Sequence, residues 1–151
     1  NRGDFVGTSL PHPHGQIYAF GDLPPIIERQ MKNAMKNNVF SSLMNNIKTE
    51  LIVAETEHTI TFCPEFSRYP YETWILPKVH QTKPSEMTDK ELKEISNAIK
   101  AQVKFFDEIY NKSMPYVLWH AFPAKNYEQY WPNHIQFWPL QRGENKMKYL
   151  I

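Results

Sequence analysis

Near the start of the chain, His12-Pro13-His14-Gly15-Gln16 sets two imidazoles and an amide at alternate positions. If this stretch runs extended, His12, His14 and Gln16 share one face, while Pro13, Gly15 and Ile17 take the other. Two imidazoles and an amide then line one edge of a site. Pro13 fixes its own φ and biases His12 away from the helical region, and Gly15 has no side chain to hold a ligand off the backbone. The plainer alternative is a turn with two solvated histidines. Alternate polar rings on one strand are poor core material, which favours the site.

The elements that must position this stretch follow from the pattern of the rest. Residues 1–20 read as a loop feeding a strand, because Gly3, Gly7 and Pro11 break any helix before His12. From Ile26 to Glu50, apolar residues spaced by three and four predict one or two amphipathic helices, with a break at Asn37-Asn38. The period then changes to two. Leu51–Glu55, Thr59–Pro64 and Glu72–Pro77 read as strands of an antiparallel meander. Thr88 and Glu91 form a capping-box pattern opening a helix to Lys112, whose stripe Leu92, Ile95, Ile99, Val103, Phe106 and Ile109 should cover one face of the sheet. Two more strands follow, Tyr116–Phe122 and His134–Leu140. The class expected is α+β, an antiparallel sheet with helices packed on one face.

A length of 151 residues with 41% hydrophobic content suits one globular domain with a sizeable core. Seventeen basic residues against 16 acidic ones give +1, so no global field points to nucleic acid or an anionic membrane as partner. A small anionic substrate stays open. One cysteine, Cys63, excludes an intrachain disulfide framework and any Cys-x-x-Cys zinc site, and a reducing, cytoplasmic setting fits. No apolar run is long enough to span a bilayer. The chain opens at Asn1 without a methionine and stops at Ile151 without terminal punctuation, as a piece of something longer would. An internal echo supports a duplicated module: residues 11–18 resemble residues 132–139, each placing alternate polar residues on one strand face.

Asn1-Arg2-Gly3 with Val6-Gly7-Thr8-Ser9-Leu10-Pro11-His12-Pro13-His14-Gly15-Gln16-Ile17-Tyr18-Ala19 resembles the active-site segment of the galactose-1-phosphate uridylyltransferase family, in the histidine-triad superfamily. Glu55-Thr56-Glu57-His58, Pro70–Thr73 with Leu76–His80, Trp119–Pro123, and His134-Ile135-Gln136 followed by Lys146–Tyr149 look like further landmarks of that family in the same order. On this resemblance, residues 1–25 end a first module carrying the motif and residues 26–151 form a second histidine-triad-like module, truncated at its C-terminus.

The resemblance implies a ping-pong exchange in which a histidine takes uridylyl from UDP-glucose and passes it to galactose-1-phosphate. His14 matches the nucleophile, Gln16 the glutamine that hydrogen-bonds the transferred phosphoryl group, and Ser9 and Asn1 phosphate-contacting positions. His12 matches a structural zinc ligand whose other ligands lie outside this chain. A second site, for iron or zinc, would draw on His120 and His134, but Gln30 and Gln136 stand where a glutamate and a histidine are expected, with Glu28 a substitute. His58 and His80 read as structural or solvated, and the aromatic group around Trp119 and Trp131 as core or dimer-interface packing. No organic cofactor is implied, and a homodimer is. Two rival functions remain: a related transferase or hydrolase such as an ADP-sugar or dinucleoside-polyphosphate phosphorylase, and a non-catalytic nucleotide-binding or dimerisation fragment.

Overall fold

The computed structural model describes residues 2–3, 12, 14–18 and 21–139. Helix α1 runs Pro25–Asn37 and α2 Val39–Asn46, and between them Asn38 takes the left-handed conformation (φ 47°). Asparagine tolerates that region better than most side chains, so the chain turns where the Asn-Asn pair predicted. Strands β1 (Ile52–Glu55), β2 (Thr59–Phe62) and β3 (Thr73–Pro77) form the expected antiparallel meander. Helix α3 spans Asp89–Tyr110, and β4 (Tyr116–Ala121) and β5 (His134–Pro139) complete the sheet.

The sheet order is β1-β2-β3-β5-β4, every neighbouring pair antiparallel. The last strand is thus inserted beside β3, with β4 on its other side. At the start of α3 the capping box forms in full, Thr88 Oγ1 accepting from the Glu91 N–H and the Glu91 carboxylate accepting from the Thr88 N–H at 2.7 Å.

The expected α+β antiparallel architecture is the observed one, and α3 covers one face of the sheet: Ile95, Ile99, Val103 and Phe106 pack against Ile75, Ile135 and Phe137. The other face is covered too. Met31 and Ala34 of α1 and Phe40 of α2 pack with Ile60, Phe62, Leu76, Ala121 and Trp131. Helices therefore lie on both faces rather than one, because Ile75 and Leu76, adjacent in β3, are both fully buried and point opposite ways. A sheet with both faces apolar needs two covering layers.

The two ends of the predicted α3 stripe, Leu92 and Ile109, are each 38% exposed. Twenty-two helical residues reach about 33 Å. Five strands at about 4.8 Å spacing are some 19 Å across, so the helix overhangs the sheet. The strand expected to carry His12, His14 and Gln16 is not among those assigned, since residues 14–18 belong to no regular element. A strand needs a paired neighbour, and among the described residues none pairs with residues 14–18, while the β4 edge carries an antiparallel bridge from Arg2 to Tyr116. Phe106→Ala should cost about 3–5 kcal/mol in urea unfolding, the usual loss for a buried aromatic, and Leu92→Ala less than about 1 kcal/mol. Equal losses would contradict the overhang.

Candidate active site and its second row

Arg2 ties the N-terminal segment to β4 and the end of α3. Its backbone exchanges two 3.0 Å hydrogen bonds with Tyr116, and its side chain donates to the Met114 carbonyl and to both oxygens of Asp107. The guanidinium also stands 4.9 Å from the Tyr116 ring centre. Burial works against charge on Asp107, yet Arg2 and the Met114 N–H outweigh it and hold the carboxyl below its usual range. Gly3 next in line has φ 94°, and a Cβ there would sit 2.9 Å from Pro115 Cβ, so no other residue fits without a shift.

Within the motif, His14 Nδ1 lies 3.1 Å from the carbonyl oxygen of His12. A carbonyl only accepts, so Nδ1 carries the proton in this contact and Nε2 carries the lone pair. Two residues on, Tyr18 donates its hydroxyl to Gln16 Oε1 at 2.6 Å. That bond orients the amide, with Oε1 toward Tyr18 and the NH₂ group on the other side. Gln16 is exposed, and among the described residues nothing lies within 4 Å of where a Gly15 Cβ would be. His12 and His14 stand edge to face, with ring centres 6.2 Å apart. Asn1 and Ser9 lie outside the described residues.

The echo in the sequence reappears in β5 as hydrogen bonds. His134 Nδ1 donates to the Pro132 carbonyl at 2.9 Å, and Trp138 Nε1 donates to Gln136 Oε1 at 3.2 Å. Both rows read His-x-Gln-x-aromatic, with the imidazole folded back on the carbonyl two residues earlier and the aromatic donor holding the glutamine oxygen. In β5 one more bond is present: Gln136 Nε2 donates to His134 Nε2 at 2.9 Å. His134 is boxed by Phe40, Trp74 and Trp131, each with its ring centre 5.0 to 5.3 Å away. Burial pushes its pKa down to about 4, the Pro132 bond acting against this and the nearby His120 adding to it.

His120 and His134 are not brought together as a ligand pair. The register pairs His120 with Ile135 and Ala121 with His134, which puts the two histidines on opposite faces of the sheet. His120 donates to Asn133 Oδ1 at 3.2 Å, since the Asn133 amide N–H groups are turned to the Gln81 carbonyl. Burial lowers its pKa, and Asn133 offsets part of this. Glu28 is paired with Lys32 at 2.7 Å, and Gln30 Oε1 is buried without a hydrogen-bond partner among the described residues. These donors do not fit the second metal. His12 supplies one imidazole, and one imidazole does not make a zinc site.

One grouping escaped sequence reasoning. Glu57, His58 and Glu94 place one ligand atom each within 4.8 Å of one another. Glu94 is saturated by Thr56 Oγ1 (2.6 Å), the His58 N–H (2.9 Å) and His58 Nδ1 (2.9 Å), and Glu57 by Lys90 (2.5 Å). It acts as an ion-pair clamp between the β1–β2 turn and α3. The 36-residue separation of His58 from Glu94 gave no local signal. His80, read as structural or solvated, donates to the Glu128 carbonyl at 2.6 Å on the exposed surface.

Comparison with known proteins decides the family. Residues 18–150 match the family described as "Galactose-1-phosphate uridyl transferase, C-terminal domain". The chain belongs to the galactose-1-phosphate uridylyltransferase family. It is 33% identical over 159 residues to galactose-1-phosphate uridylyltransferase of Thermotoga maritima, covering 99% of this chain and 50% of that protein. The chain thus spans about half the length of this relative.

Among solved structures, one titled "Structure of uridylyltransferase" superimposes with TM-score 0.80 at 24% identity, over 97% of this chain and 49% of that one. ADP-glucose phosphorylase from Arabidopsis thaliana with bound ADP-glucose gives 0.81 at 20% identity, over 97% and 49%. A histidine triad nucleotide-binding protein from Candida albicans gives 0.51 at 16%, over 70% of this chain and 85% of that one. The histidine-triad-like fold expected from the sequence is therefore the observed fold. Among the described residues no helix is long and apolar enough to cross a membrane.

The clamp predicts a pH signature. Hydrogen bonds from Thr56 and His58 lower the Glu94 pKa from 4.5 to about 2. A carboxyl depressed in the folded state stabilises it above its unfolded value and loses that stabilisation as pH falls toward the folded one. Glu94→Gln should lower the thermal midpoint at pH 7, and its gap from wild type should close between about pH 4.5 and 2. A gap independent of pH would contradict this assignment.

Proposed function

We propose that this chain carries the reacting groups of a uridylyl transfer between UDP-glucose and galactose-1-phosphate. The observation that carries the reading is the His14 Nδ1 contact with the His12 carbonyl, because it directs the imidazole lone pair to Nε2. In the first half-reaction Nε2 attacks the α-phosphorus of UDP-glucose. The bond from that phosphorus to the bridging oxygen breaks, and glucose-1-phosphate leaves with the electron pair. The uridylyl-histidine keeps Nδ1–H on the His12 carbonyl, which stabilises the positive charge that the ring acquires. A phosphate oxygen of galactose-1-phosphate then attacks phosphorus from the other side, UDP-galactose departs, and the pair returns to Nε2.

Gln16 supplies fixed N–H donors to the phosphoryl oxygens, its own carbonyl being held by Tyr18. Asn1 and Ser9 are proposed as further phosphate contacts. The division into the end of one module at residues 1–25 and a second at 26–151 is proposed on the family resemblance, the family match itself running over residues 18–150. Zinc at His12 would need ligands from outside this chain, and no step is drawn through it. A homodimer and a cytoplasmic setting rest on the family resemblance and on the single cysteine. The second reading is ADP-glucose phosphorolysis, favoured by the likeness to the Arabidopsis enzyme.

Incubating the full-length protein with UDP-glucose labelled in the uridylyl phosphate should give an acid-labile adduct that is absent in His14→Ala. An adduct from ADP-glucose alone would select the second reading, and no adduct from either would remove both. Tyr18→Phe, which deletes the donor to Gln16, should lower kcat/KM about tenfold, equivalent to about 1.4 kcal/mol. An unchanged kcat/KM would remove Tyr18 from the site.

A further inference from the structure

The row in β5 has the composition of a site and the geometry of a one-way relay of hydrogen bonds. Its donors and acceptors run one way: Trp138 Nε1–H to Gln136 Oε1, Gln136 Nε2–H to His134 Nε2, and His134 Nδ1–H to the Pro132 carbonyl. Each group is fixed by the next. The carbonyl only accepts, so His134 must be the Nδ1–H tautomer. Its Nε2 then only accepts, so Gln136 must present its NH₂ there. The amide oxygen consequently faces the indole N–H, which only donates. Flipping the amide or switching the tautomer would break two of the three bonds.

In this second row the Nε2 lone pair of His134 is occupied by the Gln136 N–H. Gln136 is 3% exposed and His134 1%, so solvent does not compete for the contact. The surroundings are aromatic: Trp74 stacks on the His134 ring at 5.0 Å, and Phe40 and Trp131 close two other sides. Among the described residues, the only group of three His, Cys, Asp or Glu side chains close enough to hold a metal is at Glu57, His58 and Glu94, and His134 is not part of it. A divalent ion at His134 would have to displace the Gln136 N–H, and among the described residues it would find no pair of further His, Cys, Asp or Glu ligands there.

We infer that the His134–Gln136–Trp138 row is a metal-free strut. The Gln136 amide does the work that a metal would do, fixing the inner face of β5 by holding His134 Nε2, and the row takes neither an ion nor a phosphoryl group. The inference is independent of the reaction assigned to His14.

The test uses the full-length protein produced with zinc, iron and cobalt in turn. Metal content should be the same in wild type, His134→Ala and His134→Phe, while both variants unfold at lower temperature. Loss of a metal equivalent in either variant would overturn the inference. If neither variant folds, ¹⁵N NMR of ring-labelled histidine in the wild type decides. His134 should show a protonated Nδ1 and an accepting Nε2, unmoved by Co²⁺. A Co²⁺-dependent paramagnetic shift of that resonance would overturn the strut.

Discussion

An imidazole whose Nδ1–H folds back onto the carbonyl two residues earlier has one tautomer and one direction for its lone pair. That interaction occurs twice in this chain, at His14 on the His12 carbonyl and at His134 on the Pro132 carbonyl. In each row the following glutamine is oriented by an aromatic donor two residues further on. A strand-like alternation is what allows it, since side chains at i, i+2 and i+4 share a face. What differs is the environment. Gln16 is exposed, whereas Gln136 is buried and reaches back to the histidine.

The burial of the second row follows from the sheet. β5 lies between β3 and β4 with helices above and below, so none of its side chains except Trp138 escapes burial. A buried polar side chain without a partner costs about 1–3 kcal/mol, so the buried His134 and Gln136 are tolerable only if their polar atoms are satisfied. The run of hydrogen bonds from Trp138 to the Pro132 carbonyl meets that demand. His120, one face over, meets it differently, through Asn133 and Gln81 to the Glu91 carboxylate that caps α3.

Much of the scaffold was legible because local rules set it. Asn38 turns the chain between α1 and α2, Thr88 and Glu91 cap α3, and period-two runs became strands within a few residues of their expected bounds. Tertiary choices were not legible. Nothing in the local pattern says that β5 enters between β3 and β4, or that Ile75 and Leu76 both demand a covering helix. The Glu57–His58–Glu94 clamp and the Arg2–Asp107 anchor join residues 36 and 105 positions apart, beyond any window a periodicity can read. For the motif, residue types suggested the chemistry proposed above, while the tautomer needed coordinates. The resemblance also drew His120 and His134 toward one metal, and the one-residue offset in the β4–β5 register separates them.

The proposed reaction turns on the His12 carbonyl, which holds Nδ1–H of His14 and so leaves Nε2 as the proposed reacting atom. The most direct measurement is ³¹P NMR of the full-length protein trapped with UDP-glucose, in which the two ring-nitrogen phosphoramidates have distinct shifts. Attachment at Nε2 of His14 is the expected result. Attachment at Nδ1, or at any other residue, would contradict the account.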